Sequence, residues 1–228
     1  MTTDLANQLR EGTTKAHSMA ENVTFVKSFL GGVVDKNSYK KLVANLYFVY
    51  SAMEDEMLKN KNHSAIKPIY FSELNRKQSL EEDLEFYYGK NWIKEIEASP
   101  ATEIYVNRIH QIGSAQPELL VAHAYTRYLG DLSGGQILKK ITQGAMRLST
   151  SEGVAFYNFR DIKDEKEFKN KYRSAINSIP LSQSLQNDII SEANISFNLN
   201  MKIFQELNSS LIKITIMLLL NTIRNFRK

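Results

Sequence analysis

Tyr125-Thr126-Arg127-Tyr128-Leu129-Gly130-Asp131-Leu132-Ser133-Gly134-Gly135-Gln136-Ile137-Leu138-Lys139-Lys140 is the stretch that decides how the rest of the chain reads. It lies in a Pro-free segment rich in helix formers, yet it carries three glycines within six residues. Glycine inside a helix costs roughly 0.5–1 kcal/mol relative to alanine, so three of them ask for a reason. Gly130 and Gly134 are four apart and share one helix face. Gly134-Gly135 is also a natural place for a kink. Arg127 and Asp131 are likewise four apart. These residues alone leave two readings open. One is close helix–helix packing with a surface ion pair. The other is a helix face stripped of side chains so that a flat or bulky partner can touch its backbone.

Outward from this stretch, nearly everything reads as helix. Positions 4–30 form a first periodic segment, with Leu5, Leu9, Ala16, Ala20 and Val23 on one face and Gly31-Gly32 as its stop. A second helix is expected over 36–59, with Leu42, Leu46, Val49, Met53 and Met57 inward. Positions 60–75, with Pro68, read as a loop. Ser79-Leu80-Glu81-Glu82 has the form of a capping box opening a short helix through Tyr88. Ser99-Pro100 opens a helix to about Ile112. Gln116-Pro117-Glu118 starts the long central helix, expected to end near Leu148. Ser149-Thr150-Ser151-Glu152 is a second capping-box candidate, for a short turn. Asp164 opens a helix to about Ser178. After Pro180 the last long helix, 182–207, carries the stripe Leu185, Ile189, Ala193, Phe197, Asn200 and Phe204. No alternation of period two is long enough for a strand, and there is no internal repeat. The expected architecture is a single all-α domain, a bundle of about eight helices. Its main body is 1–208. The apolar tail 209–228, ending in Arg224, Arg227 and Lys228, is read as a packed or weakly interfacial helix.

Composition narrows the function classes. The chain has 228 residues, 43% hydrophobic and 24% charged, which suits one large soluble domain. There is no Cys, which excludes disulfides, iron–sulfur clusters and thiolate ligation of zinc or haem. The start lacks a basic segment followed by an apolar one, so no secretory signal is expected. The run Ile214–Leu220 is too short to span a bilayer, which needs about 20 apolar residues. A cytoplasmic protein without a stable membrane span is the expectation. The net charge of +4 suits an anionic ligand or an acidic partner, but no nucleic-acid signature accompanies it.

Four histidines are available. His63 falls in the loop, and His110 is expected to be exposed or half-buried. His17 has Thr13 one turn before it and Glu21 one turn after it. That is the pattern of an imidazole that binds a metal through one nitrogen while a carboxylate orients the other. His123, four before Arg127, competes for the same role. A helix-face histidine satisfied by Glu21 is the plainer alternative. Zinc, calcium and di-iron spacings are absent, as are the glycine-rich phosphate loops. One isolated histidine, a glycine-gapped helix and an all-α fold suggest haem held between the first helix and the central one. Its propionates would call for cations, for which Arg10, Lys15, Lys169, Lys171 and Arg173 are candidates. Tyr50, Tyr125, Tyr128, Phe197 and Phe204 fit core packing or the lining of such a site.

The central stretch, with Leu119-Leu120-Val121-Ala122-His123-Ala124 ahead of it, closely resembles the signature of haem oxygenase. The resemblance extends through Leu9–Thr13, Ala20–Asn22, Leu46–Tyr50, Glu73–Lys77 and Phe168–Arg173, and is strongest to the cyanobacterial and algal type. It implies oxidative opening of haem b at the α-meso position to biliverdin IXα, CO and ferrous iron. It further implies O2 and reduced ferredoxin as co-substrates, with a bilin reductase downstream. Haem b would be both substrate and cofactor, with no flavin and no non-haem metal. By the same resemblance His17 is the proximal iron ligand and Glu21 its orienting carboxylate. Gly130 and Gly134 let the helix backbone approach the haem. Asp131 is the distal acid, acting through ordered water, with Tyr50, Arg127 and Asn200 as its partners. Arg10, Lys169, Arg173 and Tyr125 match the propionate side. Lys139, Lys140, Arg147 and the basic positions of 163–173 could meet an acidic ferredoxin.

One departure is visible. Thr14 stands where the family often has a second basic residue, and Lys15 points about 100° away on a helix. Looser haem seating at the first helix is therefore expected. Two other readings compete with catalysis: a haem-binding or storage protein on the same fold, and a helical partner-binding protein. The clustering of three glycines with Arg127 and Asp131 favours the enzyme.

Overall fold

The computed structural model describes residues 4–148, 150 and 152–207, and among these there is no strand. Ten α-helices run in order: α1 Leu5–Gly12, α2 Thr14–Glu21, α3 Thr24–Leu30, α4 Lys36–Lys59, α5 Lys77–Tyr88, α6 Pro100–Ala115, α7 Leu120–Ala124, α8 Gly130–Met146, α9 Glu165–Asn177 and α10 Gln183–Glu206. Short 3-10 turns punctuate the connections, including two inside 60–75, Lys67–Ile69 and Ser72–Leu74. The all-α expectation holds, and α4 has the bounds its periodicity predicts. No helix among the described residues is long and apolar enough to cross a membrane. The tail 209–228 lies outside the described residues.

The first periodic segment differs from expectation, because it is three helices. The inward set Leu5, Leu9, Ala16, Ala20 and Val23 is buried as its spacing predicts. The backbone breaks at Gly12–Thr13, where α10 comes close. A Cβ on Gly12 would sit 2.6 Å from Ile190 Cγ2, and Asn194 Nδ2 donates to the Gly12 carbonyl. Thr13 Oγ1 donates back to Leu9 O at 2.7 Å, the local competition by which threonine loosens a helix. Asn22 repeats the device on Ser18 O, and Val23 turns extended to start α3. Hydrophobic periodicity reports which face is buried and does not register these breaks.

Helix starts follow their caps. Asp35, Ser99, Asp164 and Ser182 each accept a backbone N–H of the first turn of α4, α6, α9 and α10. The Ser79 capping box is not used: α5 begins two residues earlier, and the cap comes from another helix. Buried Glu54 on α4 accepts from the Arg76 and Lys77 N–H groups. Of the Ser149–Glu152 candidate, Ser149 and Ser151 lie outside the described residues, and the turn that follows spans Ala155–Tyr157.

The central helix is continuous from α7 to α8 but irregular in the middle. Tyr125–Leu129 forms a π turn, whereas Gly134-Gly135 lies within regular α8. The irregularity upstream of the glycine pair is this π turn, a feature frequent at functional sites. α4, α6 and α10 pack beside this helix. α10 touches both α2 and the π turn, and α3 touches both α2 and α8, so α2 and the central helix are tied together through shared neighbours.

Candidate functional site

The π turn aims Arg127 inward, where its guanidinium is almost wholly buried. Arg127 Nε donates to Tyr50 Oη at 3.0 Å, and Nη1 donates to Asn200 Oδ1 at 2.8 Å. The Tyr50 hydroxyl in turn donates to Asp131 Oδ2. Arg127 Nη2 lies 3.8 Å from Asp131 Oδ1, so the expected i,i+4 ion pair is the loosest link in the set. Tyr50 from α4, Asn200 from α10, Arg127 and Asp131 thus form one network joining three helices.

The electrostatics of the network follow from its burial. Desolvation raises the pKa of Asp131 from its ordinary value, opposed by Arg127, the Tyr50 hydrogen bond and Arg76. Tyr50 is raised well above 10, by burial first, with Arg127 opposing and Asp131 adding. Burial alone would weaken the Arg127 proton, but Tyr50 and Asp131 outweigh it and the guanidinium is held charged. The result is a largely buried carboxyl whose hydrogen-bond donor and neighbouring cations oppose the upward push of burial.

The glycines border this network. A Cβ built on Gly130 or on Gly134 meets nothing within 4 Å. Neither glycine is therefore required by packing, and the face they share is open beside Asp131. Gly135 differs, since its Cβ would reach ordinary contact with Tyr157 at 3.5 Å.

On α2, His17 has 61% of its side chain exposed, with Nδ1 3.7 Å from Glu21 Oε1 and its ring edge-on to Phe197 at 5.8 Å. Nε2 is left as the nitrogen for a ligand. His123 takes no part: it is fully buried, with Nδ1 3.3 Å from Tyr105 Oη and Nε2 3.0 Å from Glu192 Oε1. Both its nitrogens are spent in the core, on Tyr105 and Glu192. His110 is exposed with Nδ1 on Glu56, and His63 sits near Glu118 in the loop.

A third group lies around Tyr125. It is half-buried, with Thr13, Arg10 and Arg173 acting on its hydroxyl. Burial raises its pKa, while Thr13 and the charges of Arg173 and Arg10 act in the opposite direction. Arg10, Tyr125 and Arg173 are therefore gathered from three helices. Lys169 is half-buried on α9 one turn before Arg173. Phe204 does not join Phe197 at His17; it is half-buried and stacks on Phe25 at 5.9 Å. Thr14 Oγ1 donates to Arg10 O on an exposed surface.

The family model described as Heme oxygenase matches residues 3–206. The chain belongs to the haem oxygenase family. It is 67% identical to the heme oxygenase of the red alga Porphyra purpurea over 226 residues, 99% of this chain and 96% of the relative. It is 60% identical to heme oxygenase 1 of Synechocystis, over 100% of this chain and 94% of the relative. A solved structure of heme oxygenase-1 from that cyanobacterium, in complex with heme, superposes with a TM-score of 0.91 at 61% identity, covering 97% of this chain and 100% of the other.

Within this haem oxygenase fold, reading the sequence missed the buried polar groups behind the site. Glu192 takes Arg108 at 2.9 Å and His123 at 3.0 Å, and its pKa settles near 2 because these partners outweigh burial. Tyr105 bonds Ser196 at 2.7 Å. Glu54 and Asp83 are buried carboxylates whose pKa burial lifts to about 7. Glu192 carried a signal in the sequence, as a charged residue flanked by Ile189 and Ala193 on the apolar stripe of α10. Glu54 and Asp83 carried none, because each serves a segment far away in sequence.

Proposed function

We propose that this chain opens haem b at the α-meso position to biliverdin IXα, CO and ferrous iron, using O2 and electrons from reduced ferredoxin. The observation that carries the reading is the open face at Gly130 and Gly134 beside the Tyr50–Asp131–Arg127 network. A storage protein would have no use for a largely buried carboxyl held by a phenol beside that open face. Haem, when bound, supplies both the ring that is opened and the iron that activates O2. His17 would hold the iron through Nε2, with Glu21 orienting the ring from Nδ1. Arg10, Arg173, Lys169 and Tyr125 would take the propionates, and Phe197 would brace His17. Asp131 would hold and release the protons at its Oδ atoms. Tyr50 and Arg127 would keep that carboxyl aimed, and Asn200 would keep Arg127 aimed. Ferredoxin, an acidic partner, would meet the basic positions Lys139, Lys140, Arg147 and 163–173. A cytoplasmic setting and a downstream bilin reductase complete the proposal.

The test is turnover of the purified chain with haemin, ferredoxin, its reductase and NADPH. The expected result is decay of the Soret band with growth of a red-absorbing bilin. A stable Soret band under those conditions would assign the chain to haem binding alone.

A further inference from the structure

Behind the distal network lies a layer of buried charge that the proposed reaction does not use. Arg76 stands just before α5 and is only 4% exposed. Its guanidinium meets no carboxylate within ion-pair distance among the described residues. It is spent on carbonyls: Nε on Leu74 O at 3.1 Å, Nη1 on Phe156 O at 3.3 Å and on Asn158 O at 2.7 Å. It also lies 3.9 Å above the Phe159 ring. Burial draws its own pKa down, yet a guanidinium stays charged. A buried cation without a contacting anion is costly unless hydrogen bonds compensate it, as these carbonyls do.

Asp131 and Glu54 both act on this charge to keep it, and the Glu54 carboxylate caps the backbone at Arg76 itself. The mechanical link runs the same way. Phe156 is held on both sides of its Cα, its carbonyl by Arg76 and its N–H by Asp83 Oδ2 at 2.8 Å. Its ring stands edge-on to Tyr50 at 5.4 Å, and Tyr50 donates to Asp131.

We infer that Arg76 is a positioning residue for the Tyr50–Asp131 pair, fixing Phe156 against the Tyr50 ring and presenting a permanent buried charge to the Asp131 carboxyl. The inference rests on the proposed role of Asp131. The other groups that act on that carboxyl are Tyr50 from α4, Tyr105 from α6, Arg127 on its own helix and Tyr157 beside α8. Arg76 is the one cation among them besides Arg127. Removing it leaves burial less opposed, so Asp131 should bind its proton more tightly.

The experiment is an infrared pH titration of the full-length chain free of haem, following the carboxyl band that Asp131→Asn removes. Arg76→Gln is expected to raise the midpoint by about one pH unit, the low end of what a neighbouring arginine does to an aspartate. Arg76→Lys, which keeps the charge, is expected to raise it by less than half as much. Phe156→Leu keeps the Arg76 charge but takes the ring from Tyr50. It is expected to raise the midpoint as well, because the Tyr50 hydrogen bond lowers it. An unchanged midpoint in Arg76→Gln, with only the melting temperature reduced, makes Arg76 a fold residue and overturns the inference. If that variant does not fold, an unchanged midpoint in Phe156→Leu does the same. Because no haem is present, this failure is separate from failure of the turnover test.

Discussion

The Tyr50 hydroxyl donates to the Asp131 carboxyl across 81 positions of sequence, and this bond joins the middle of α4 to the head of α8. It turns an exposed-looking i,i+4 pair, Arg127 and Asp131, into part of a buried network. Arg127 spends its best donors on Tyr50 and Asn200 and leaves Asp131 at 3.8 Å. The carboxyl is consequently fixed by a phenol and only steadied by a cation. That arrangement suits a group that must change protonation state without losing its place.

Asp131→Ala is expected to retain haem binding and lose biliverdin formation by roughly 100-fold or more, the usual scale of a lost proton-transfer group. Soret titration reads the first and bilin absorbance the second. Biliverdin formed at the native rate would sink the role assigned to Asp131.

His17→Ala removes a largely exposed side chain, so the melting curve of the haem-free chain should move by no more than about 0.5 kcal/mol. The iron should nevertheless lose its histidine ligation, seen as a changed Soret position that added imidazole restores. His123→Gln should do the reverse: the fold is weakened because Glu192 and Tyr105 lose a buried partner, while the haem spectrum is kept. A haem spectrum that followed His123 would overturn the ligand assignment.

These contrasts show what the sequence made legible. Apolar spacing placed α4 and α10 and the inward faces of α1 and α2 correctly, because burial of one face is a period-3.6 property. It missed the breaks at Gly12–Thr13 and Asn22–Val23, which are set by the approach of α10 and by side-chain bonds to backbone. Gly130, Gly134, Arg127 and Asp131 were visible as an anomaly within one helix. Tyr50 and Asn200 were visible as inward-facing residues of their helices, but their partnership with Asp131 and Arg127 came only through resemblance. Arg76, Glu54 and Asp83 act wholly through long-range contacts and left no local pattern.

Gly134→Ala should have opposite effects on the two states. With open space around the new methyl, the haem-free helix should gain up to about 1 kcal/mol from alanine's higher propensity. Haem binding should weaken, because the methyl enters the face assigned to the haem. Chemical denaturation and Soret titration check the pair, and an unchanged haem affinity would mean that the haem does not approach this face.

Glu54 makes a pH prediction with a definite sign. Burial raises its folded pKa to about 7, above the ordinary value of 4.5, so the folded chain holds the proton more tightly than the unfolded one. Its contribution to stability is present at pH 4 and is lost as pH rises through 7. Glu54→Gln, whose amide oxygen can still accept from Arg76 and Lys77, has no such proton to lose. Relative to native, its stability should improve between pH 5 and pH 8, by an amount on the order of 2 kcal/mol. Denaturant midpoints at the two pH values test it, and a difference that shrinks with rising pH contradicts the assignment.

Arg127→Lys is the sharpest test of the network as a unit. The guanidinium reaches Tyr50 with Nε and Asn200 with Nη1 at the same time, from a planar fork fixed by the π turn. A lysine amine is a single point at the end of a flexible stem and cannot occupy both positions. Charge is conserved, so Asp131 keeps a cation nearby, but the geometry is lost. Turnover should therefore fall while haem affinity holds, and Asn200→Ala should cost little more once Lys is in place. A double-mutant cycle on turnover and stability is expected to give a coupling of about 1–2 kcal/mol between positions 127 and 200, as for a buried hydrogen bond to a charged donor. Additive effects would mean that Asn200 does not act through Arg127, and the three-helix network would reduce to the Tyr50–Asp131 pair.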